Sequence, residues 1–188
     1  MSNFPSDHPL RHAAAEFYAA DAAYRRMLEV SVGSFVEYEQ AWREFLRRVE
    51  RIYGKTRAAS RNLPQWQPIN SRVHQLREKD PLLLYVRQAR NADEHTIQDV
   101  ASDWQPEPYA VPIGDGAVEV HFKHGDRPLL PVTVRGVTYE PARAHLGASF
   151  ADSLGKGRDE PAIVAEMTLS FYAEFINEVS RTVFPALA

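Results

Sequence analysis

Apolar residues recur along this chain at two different spacings, and the change between them divides it. From His8 to Ser31, Leu10, Ala14, Phe17, Tyr24 and Leu28 fall at helical intervals among strong helix formers. Gly33 and Ser34 break that run. Residues 35–55 then place Tyr38, Trp42, Phe45, Val49 and Ile52 at the i, i+4, i+7 spacing of a buried helical face. A loop through Asn62, Pro64 and Pro68 leads into a short helix predicted over 69–79. Asp80-Pro81 pairs a capping carboxylate with a proline in the first turn, so the next helix is predicted from Pro81 to about Ala101. Pro106, Pro108 and Pro112 forbid its continuation.

Beyond these prolines the period falls to two. Val118, Val120 and Phe122 alternate with Glu119, His121 and Lys123, the pattern of a half-buried strand. Gly125-Asp126 supplies turn chemistry, and residues 131–139 are expected to return as the second strand of a hairpin. Residues 141–160, with Gly147, Gly155 and Gly157, read as a mobile loop. The helical period resumes over 161–183, where Val164, Met167, Phe171, Phe175 and Val179 define a buried face. The predicted fold is mainly α: a helical bundle of four to five helices with an inserted β-hairpin before the last helix. One domain is expected over 1–188, with an insertion at 102–160.

Composition narrows the chemistry. The chain has 188 residues, 44% of them hydrophobic and 25% charged, and so has enough apolar surface to bury a core without staples. It contains no cysteine, which removes disulfides, thiolate metal sites and cysteine nucleophiles and fits a reducing cytoplasm. The N-terminus shows no basic start followed by an apolar run, and no segment has the ~18 uninterrupted apolar residues of a membrane span, so a cytoplasmic protein without a membrane partner is expected. A net charge of −3 is too weak to mark a bulk nucleic-acid binder and leaves local basic surfaces to decide.

The densest chemistry lies in the helix that starts at Pro81. Residues 89–98, ARNADEHTIQ, carry Arg90, Asn91, Asp93, Glu94 and His95 within six positions. At about 100° per residue, Tyr85, Ala89, Ala92, Thr96 and Val100 share one narrow face whose small side chains admit a close neighbour. Arg87, Asn91 and His95 line a different, polar face. Arg90 lies about 140° from His95 around the axis, so one site using both requires a long arginine reach or a second copy of the helix. An imidazole with ordinary pKa about 6.5 can take or give a proton near neutral pH, and a guanidinium matches phosphate oxygens bidentately. RNA brings its own nucleophile, the 2′-hydroxyl, so a general base with a cationic clamp can cleave it without a metal. The plain alternative is a solvated face on which Arg90 pairs with Asp93 or Glu94.

Arg90-Asn91-Ala92-Asp93-Glu94-His95 resembles the Arg-polar-x-x-x-His signature of the HEPN superfamily, small helical bundles that often dimerise and are often metal-independent endoribonucleases of toxin–antitoxin and phage-defence systems. The resemblance covers this motif, its helix, the helical order of residues 9–101 and the closing helix. The insertion at 102–160 departs from the minimal bundle. The resemblance implies that Arg90 and His95 are catalytic, that Asn91 assists, that no cofactor is needed and that RNA is the substrate of a homodimer, with room for a cognate antitoxin protein. It equally accommodates a non-catalytic dimerisation or nucleotide-binding module.

Arg43, Arg47 and Arg51, at i, i+4, i+8 on the second helix, form the best basic stripe, which with Arg87 can track a phosphate backbone. Glu44 and Glu50 beside them also allow a simple solvated face. His121 and His124 near Asp126 lack a third ligand at metal spacing, so no metal site is expected. Gly155-Lys156-Gly157 lacks the remainder of a phosphate-binding P-loop. Trp42, Phe171, Tyr172 and Phe175 are expected in the core, whereas Trp66 and Trp104, in proline-flanked loops, are expected at the surface.

Overall fold

The computed structural model describes residues 4–31, 34–95, 108–114, 117–122, 129–140 and 161–187. Among them are five α-helices: α1 (Arg11–Glu29), α2 (Phe35–Ser60), α3 (Trp66–Lys79), α4 (Pro81–His95) and α5 (Pro161–Val183). Between α4 and α5 lie four short strands, β1 (Pro108–Gly114), β2 (Ala117–Phe122), β3 (Val132–Val134) and β4 (Val137–Tyr139). The architecture is mainly helical, with the strands inserted before the last helix. None of the described helices is long and apolar enough to cross a membrane.

The most extensive contact between elements is α1 on α2. Tyr38, Trp42, Phe45, Val49 and Ile52 are all buried, as their spacing predicts, and Thr56 continues the seam. These large side chains need a small-residue partner, and α1 supplies it. Its buried positions are Ala13, Ala14, Ala20, Ala23 and Met27, with Val30 buried just beyond its end, so large knobs meet a nearly flat alanine face. Of the predicted α1 face, Leu10 and Ala14 are buried, and the face is displaced from its bulkier residues toward the C-terminal end. Leu28 is 48% exposed, and Phe17 and Tyr24 flank the seam half-buried.

Helix α5 touches all four other helices. That central position explains why it buries Val164, Ala165, Thr168, Leu169, Tyr172, Phe175, Ile176 and Val179 over a wide arc rather than on the single stripe predicted, and why Met167 and Phe171 sit at the arc's edge. Helix α3 begins three residues earlier than predicted. Trp66, expected at the surface, is 1% exposed and packs against Phe175 with ring centroids 6.1 Å apart. The proline-flanked context fits a helix start as well as a loop, and a first-turn indole can point inward. Trp104 lies outside the described residues.

The hairpin pairing differs from expectation. Strand β2 pairs antiparallel with the preceding segment β1, Pro108 opposite Phe122 and Ala110 opposite Val120. The segment 131–139 does not return to β2. It folds on itself, Val132 opposite Tyr139 and Val134 opposite Val137, with Thr133 and Thr138 hydrogen-bonded across the strands at 3.1 Å. The physical reason is the turn. Arg135 and Gly136 both have positive φ, 51° and 78°, as a two-residue type I′ connection requires, and such a turn closes a hairpin locally. Residues 141–160, read as a loop, lie outside the described residues.

At the N-terminus, His8 is 2% exposed, stacked on Phe4 and edge-on to Phe184. Its Nδ1 accepts a hydrogen bond from the Leu10 backbone N–H at 3.1 Å, which requires an unprotonated Nδ1. Burial pushes its pKa below the ordinary 6.5, only partly opposed by Asp7. A depressed folded-state pKa means stability that is complete above pH 6.5 and lost as pH falls through the folded value. We expect the melting temperature to fall on acidification below pH 6.5, and thermal melts across that window to show a shallower fall for His8→Gln.

Candidate functional site

Helix α4 is anchored on several sides. Asp80 caps it, its Oδ1 accepting from the Leu83 N–H at 3.1 Å, as the Asp-Pro start predicts. Tyr85, Ala89 and Ala92 are each at most 1% exposed and belong to the chain's own core. The small-residue face is therefore covered by this chain itself. The Tyr85 hydroxyl donates to the Leu130 carbonyl oxygen at 2.8 Å, and Leu129 and Val132 are buried, which seats the β3–β4 hairpin on α4.

Asp93 provides the anchor to α2. Its side chain is 4% exposed and accepts a hydrogen bond from Arg43, while its second oxygen lies 3.3 Å from Arg47 without hydrogen-bond alignment. Glu39 also takes Arg43, at 2.8 Å, and Glu44 lies 3.6 Å from Arg47. Burial alone lowers the Arg43 pKa, yet the hydrogen bonds and charges of Asp93 and Glu39 outweigh it and the net shift is upward. Two of the three arginines expected to track a phosphate backbone are thus engaged by carboxylates. Of these three, Arg51 alone is exposed without an ion pair to a described residue.

Arg90 pairs with Glu94, Nη2 to Oε2 at 2.6 Å, and not with Asp93. Its Nη1 donates to Asn91 Oδ1 at 3.2 Å, and Asn91 Nδ2 donates to Gln88 Oε1 at 3.1 Å. Its Nε is buried without a hydrogen-bond partner. Asn91 thereby joins the Arg90 guanidinium to the adjoining face of the helix. There, Arg87, Gln88 and Asn91 line a cleft of about 510 Å3 whose other wall is Val134, Arg135, Val137 and Tyr139 of the hairpin. The structure places Arg87 and Asn91 together in this cleft, while Arg90 is linked to it through Asn91. His95 is the last residue of α4, two turns beyond Arg87 on the same line. Its side chain lies outside those described.

Arg135 and Tyr139 were not candidates from sequence. A signal for them existed, since residues 132–139 alternate Val and Thr around an Arg-Gly pair, a hairpin pattern in its own right. The partnership of Asp93 with Arg43, fifty positions away, and with Arg47 has no local signal. Among the described residues, no three His, Asp or Glu side chains are grouped to hold a metal ion. His121 lies on β2, and His124 and Asp126 lie outside the described residues. No protein-family model, curated protein or solved structure matches this chain.

Asp93→Asn removes the shared carboxylate and leaves Arg43 facing a neutral amide. Because Arg43 keeps Glu39 and is about a quarter exposed, the expected loss is about 2 kcal/mol rather than the full cost of breaking a deeply buried pair. Urea denaturation of the wild type and the variant measures it.

Proposed function

We propose that the chain is a metal-independent endoribonuclease of HEPN type, working as a cytoplasmic homodimer in a toxin–antitoxin or phage-defence setting. Arg90, Asn91 and His95 of α4 form the catalytic set. A general base removes the 2′-hydroxyl proton, the 2′-oxygen attacks phosphorus, and the 5′-oxygen leaves with a proton from a general acid. The products are a 2′,3′-cyclic phosphate and a 5′-hydroxyl. One imidazole cannot be acid and base in a single step, so His95 from each of two chains, facing across the two-fold, takes the two roles. Arg90 neutralises charge on the phosphorane.

The observation that carries this reading is the Arg90–Asn91 hydrogen bond, which couples the guanidinium of the motif to a cleft lined by two further arginines. In buffer with EDTA, the wild type is expected to cleave tRNA or mRNA and His95→Ala to lose about 10²–10⁴-fold in rate. Undiminished cleavage by His95→Ala overturns the proposal.

A second reading, a dimerisation or nucleotide-binding module without cleavage, is favoured by one contact. Glu94 occupies the Arg90 guanidinium at 2.6 Å, where a phosphate would have to sit. Glu94→Gln separates the two. If Arg90 is catalytic, freeing it should raise the cleavage rate severalfold. If the chain only binds nucleotides, neither protein makes RNA products, and added nucleotide raises the melting temperature.

A further inference from the structure

The arginines of this chain sort into two groups. Arg25, Arg26, Arg43, Arg47, Arg48, Arg72, Arg77 and Arg90 all have carboxylate partners. Arg11, Arg51, Arg57, Arg61, Arg87, Arg135 and Arg181 have none among the described residues; of these only Arg87 is half-buried, and only Arg87 and Arg135 line the α4–hairpin cleft. Among the described residues, no acidic side chain lines that cleft. Its remaining walls are the amides of Gln88 and Asn91, the ring of Tyr139, and Val134 and Val137, the latter 51% exposed. Two guanidiniums without a carboxylate partner among the described residues, neutral hydrogen-bonding amides and an aromatic-aliphatic wall form one concave site.

The turn adds an independent observation. Arg135 holds φ at 51°, a region that disfavours side chains other than those of Asn, Asp and Gly. The first central position of a type I′ turn is ordinarily Asn or Gly, so local backbone preference argues against arginine there. What the arginine contributes is a second positive charge in the lining of the cleft, beside that of Arg87.

We propose that this cleft is a subsite for one nucleotide unit of single-stranded RNA. Arg87 and Arg135 grip a phosphodiester, the Gln88 and Asn91 amides hydrogen-bond to the sugar or base edge, and the base lies against Tyr139 and the valines. The inference deepens the nuclease reading by naming where the strand is held, and it relies on that reading only for the strand being RNA. A duplex cannot present a splayed base to such a wall, so an unpaired strand is required.

The test uses the full chain and a fluorescein-labelled, uncleavable 2′-O-methyl RNA single strand, with binding followed by anisotropy over a salt series. Arg87→Gln and Arg135→Asn are each expected to weaken binding about tenfold and to flatten the salt dependence by about 0.7 in log–log slope. Because Asn suits the turn better, Arg135→Asn should melt at or above the wild-type temperature while losing affinity, which separates a binding role from a structural one. Arg135→Lys should recover part of the affinity. Unchanged affinity and slope in both Arg87→Gln and Arg135→Asn overturn the proposal, as does equal or tighter binding of the matching duplex. Loss of binding in these variants, with no cleavage by the wild type, keeps the subsite and rejects the nuclease. Cleavage by the wild type, with affinity unchanged in the variants, does the reverse.

Discussion

The rotation of α4 about its own axis is the constraint on which the candidate site depends. A helix is stiff enough that setting the direction of two or three side chains sets all of them. Here an apolar strip of Tyr85, Ala89 and Ala92 is driven into the core, and Asp93 is drawn toward the arginines of α2. A turn of one residue position, about 100°, would bring a charged or amide side chain into the core. Alanine at 89 and 92 allows the close approach, and burial of the Asp93 carboxylate is tolerable only because two guanidiniums meet it. With α4 so fixed, Arg87 and Asn91 face the space beneath the hairpin, and the Tyr85–Leu130 hydrogen bond brings the second wall to meet them.

The same constraint sorts the charges. Carboxylates fall where helices pack, so the arginines at helix contacts serve the fold. Arg48 reaches Glu16 of α1, Arg77 reaches Glu50 of α2 beneath the Tyr53 ring, and Arg43 reaches Asp93 of α4. A stripe of arginines on α2 therefore contributes much less outward positive potential than its spacing suggests. Exposed cations such as Arg51 remain dispersed in water, where long-range fields are screened within ~10 Å at moderate salt. The cleft differs in bringing to one concave place two guanidiniums with no carboxylate partner among the described residues, which concentrates their field.

The helices were legible in the sequence because each buries one face and the 3.6-residue period is written in large apolar side chains. The α2 seam and the Asp80 start of α4 follow directly from that pattern. Legibility failed where burial depends on a partner. The α1 contact face is made of alanines, which carry little hydrophobic signal, so bulkier Leu28 was placed inside when it is exposed. The width of the α5 face reflects its central position, a tertiary fact. Strand pairing is hidden for a local reason: arginine is unusual at positive φ, so the sequence of the two-residue Arg135-Gly136 turn looks like the interior of one strand. In the candidate site, Arg87 and Asn91 were visible as a line on one helix face. Arg135 and Tyr139 come from a different element, and only the fold brings them opposite.

One contact on the α4 surface opposes the proposed catalysis. Glu94 lies against the guanidinium that the proposed reaction assigns to the phosphorane. The magnitude of that contact decides the matter. The two side chains are 26% and 35% exposed, one helical turn apart, and pairs of this kind are worth about 0.3–0.5 kcal/mol on a helix surface. A phosphodiester that binds Arg90 bidentately offers more than that, so exchanging Glu94 for phosphate is energetically cheap. In the absence of substrate, the carboxylate holds Arg90 extended along the helix, and Asn91 keeps a hydrogen bond on the guanidinium's other arm. The pair thus positions the cation without trapping it. By contrast, Arg43, with two carboxylates and a partly buried guanidinium, cannot be released so easily, and its role remains with the fold.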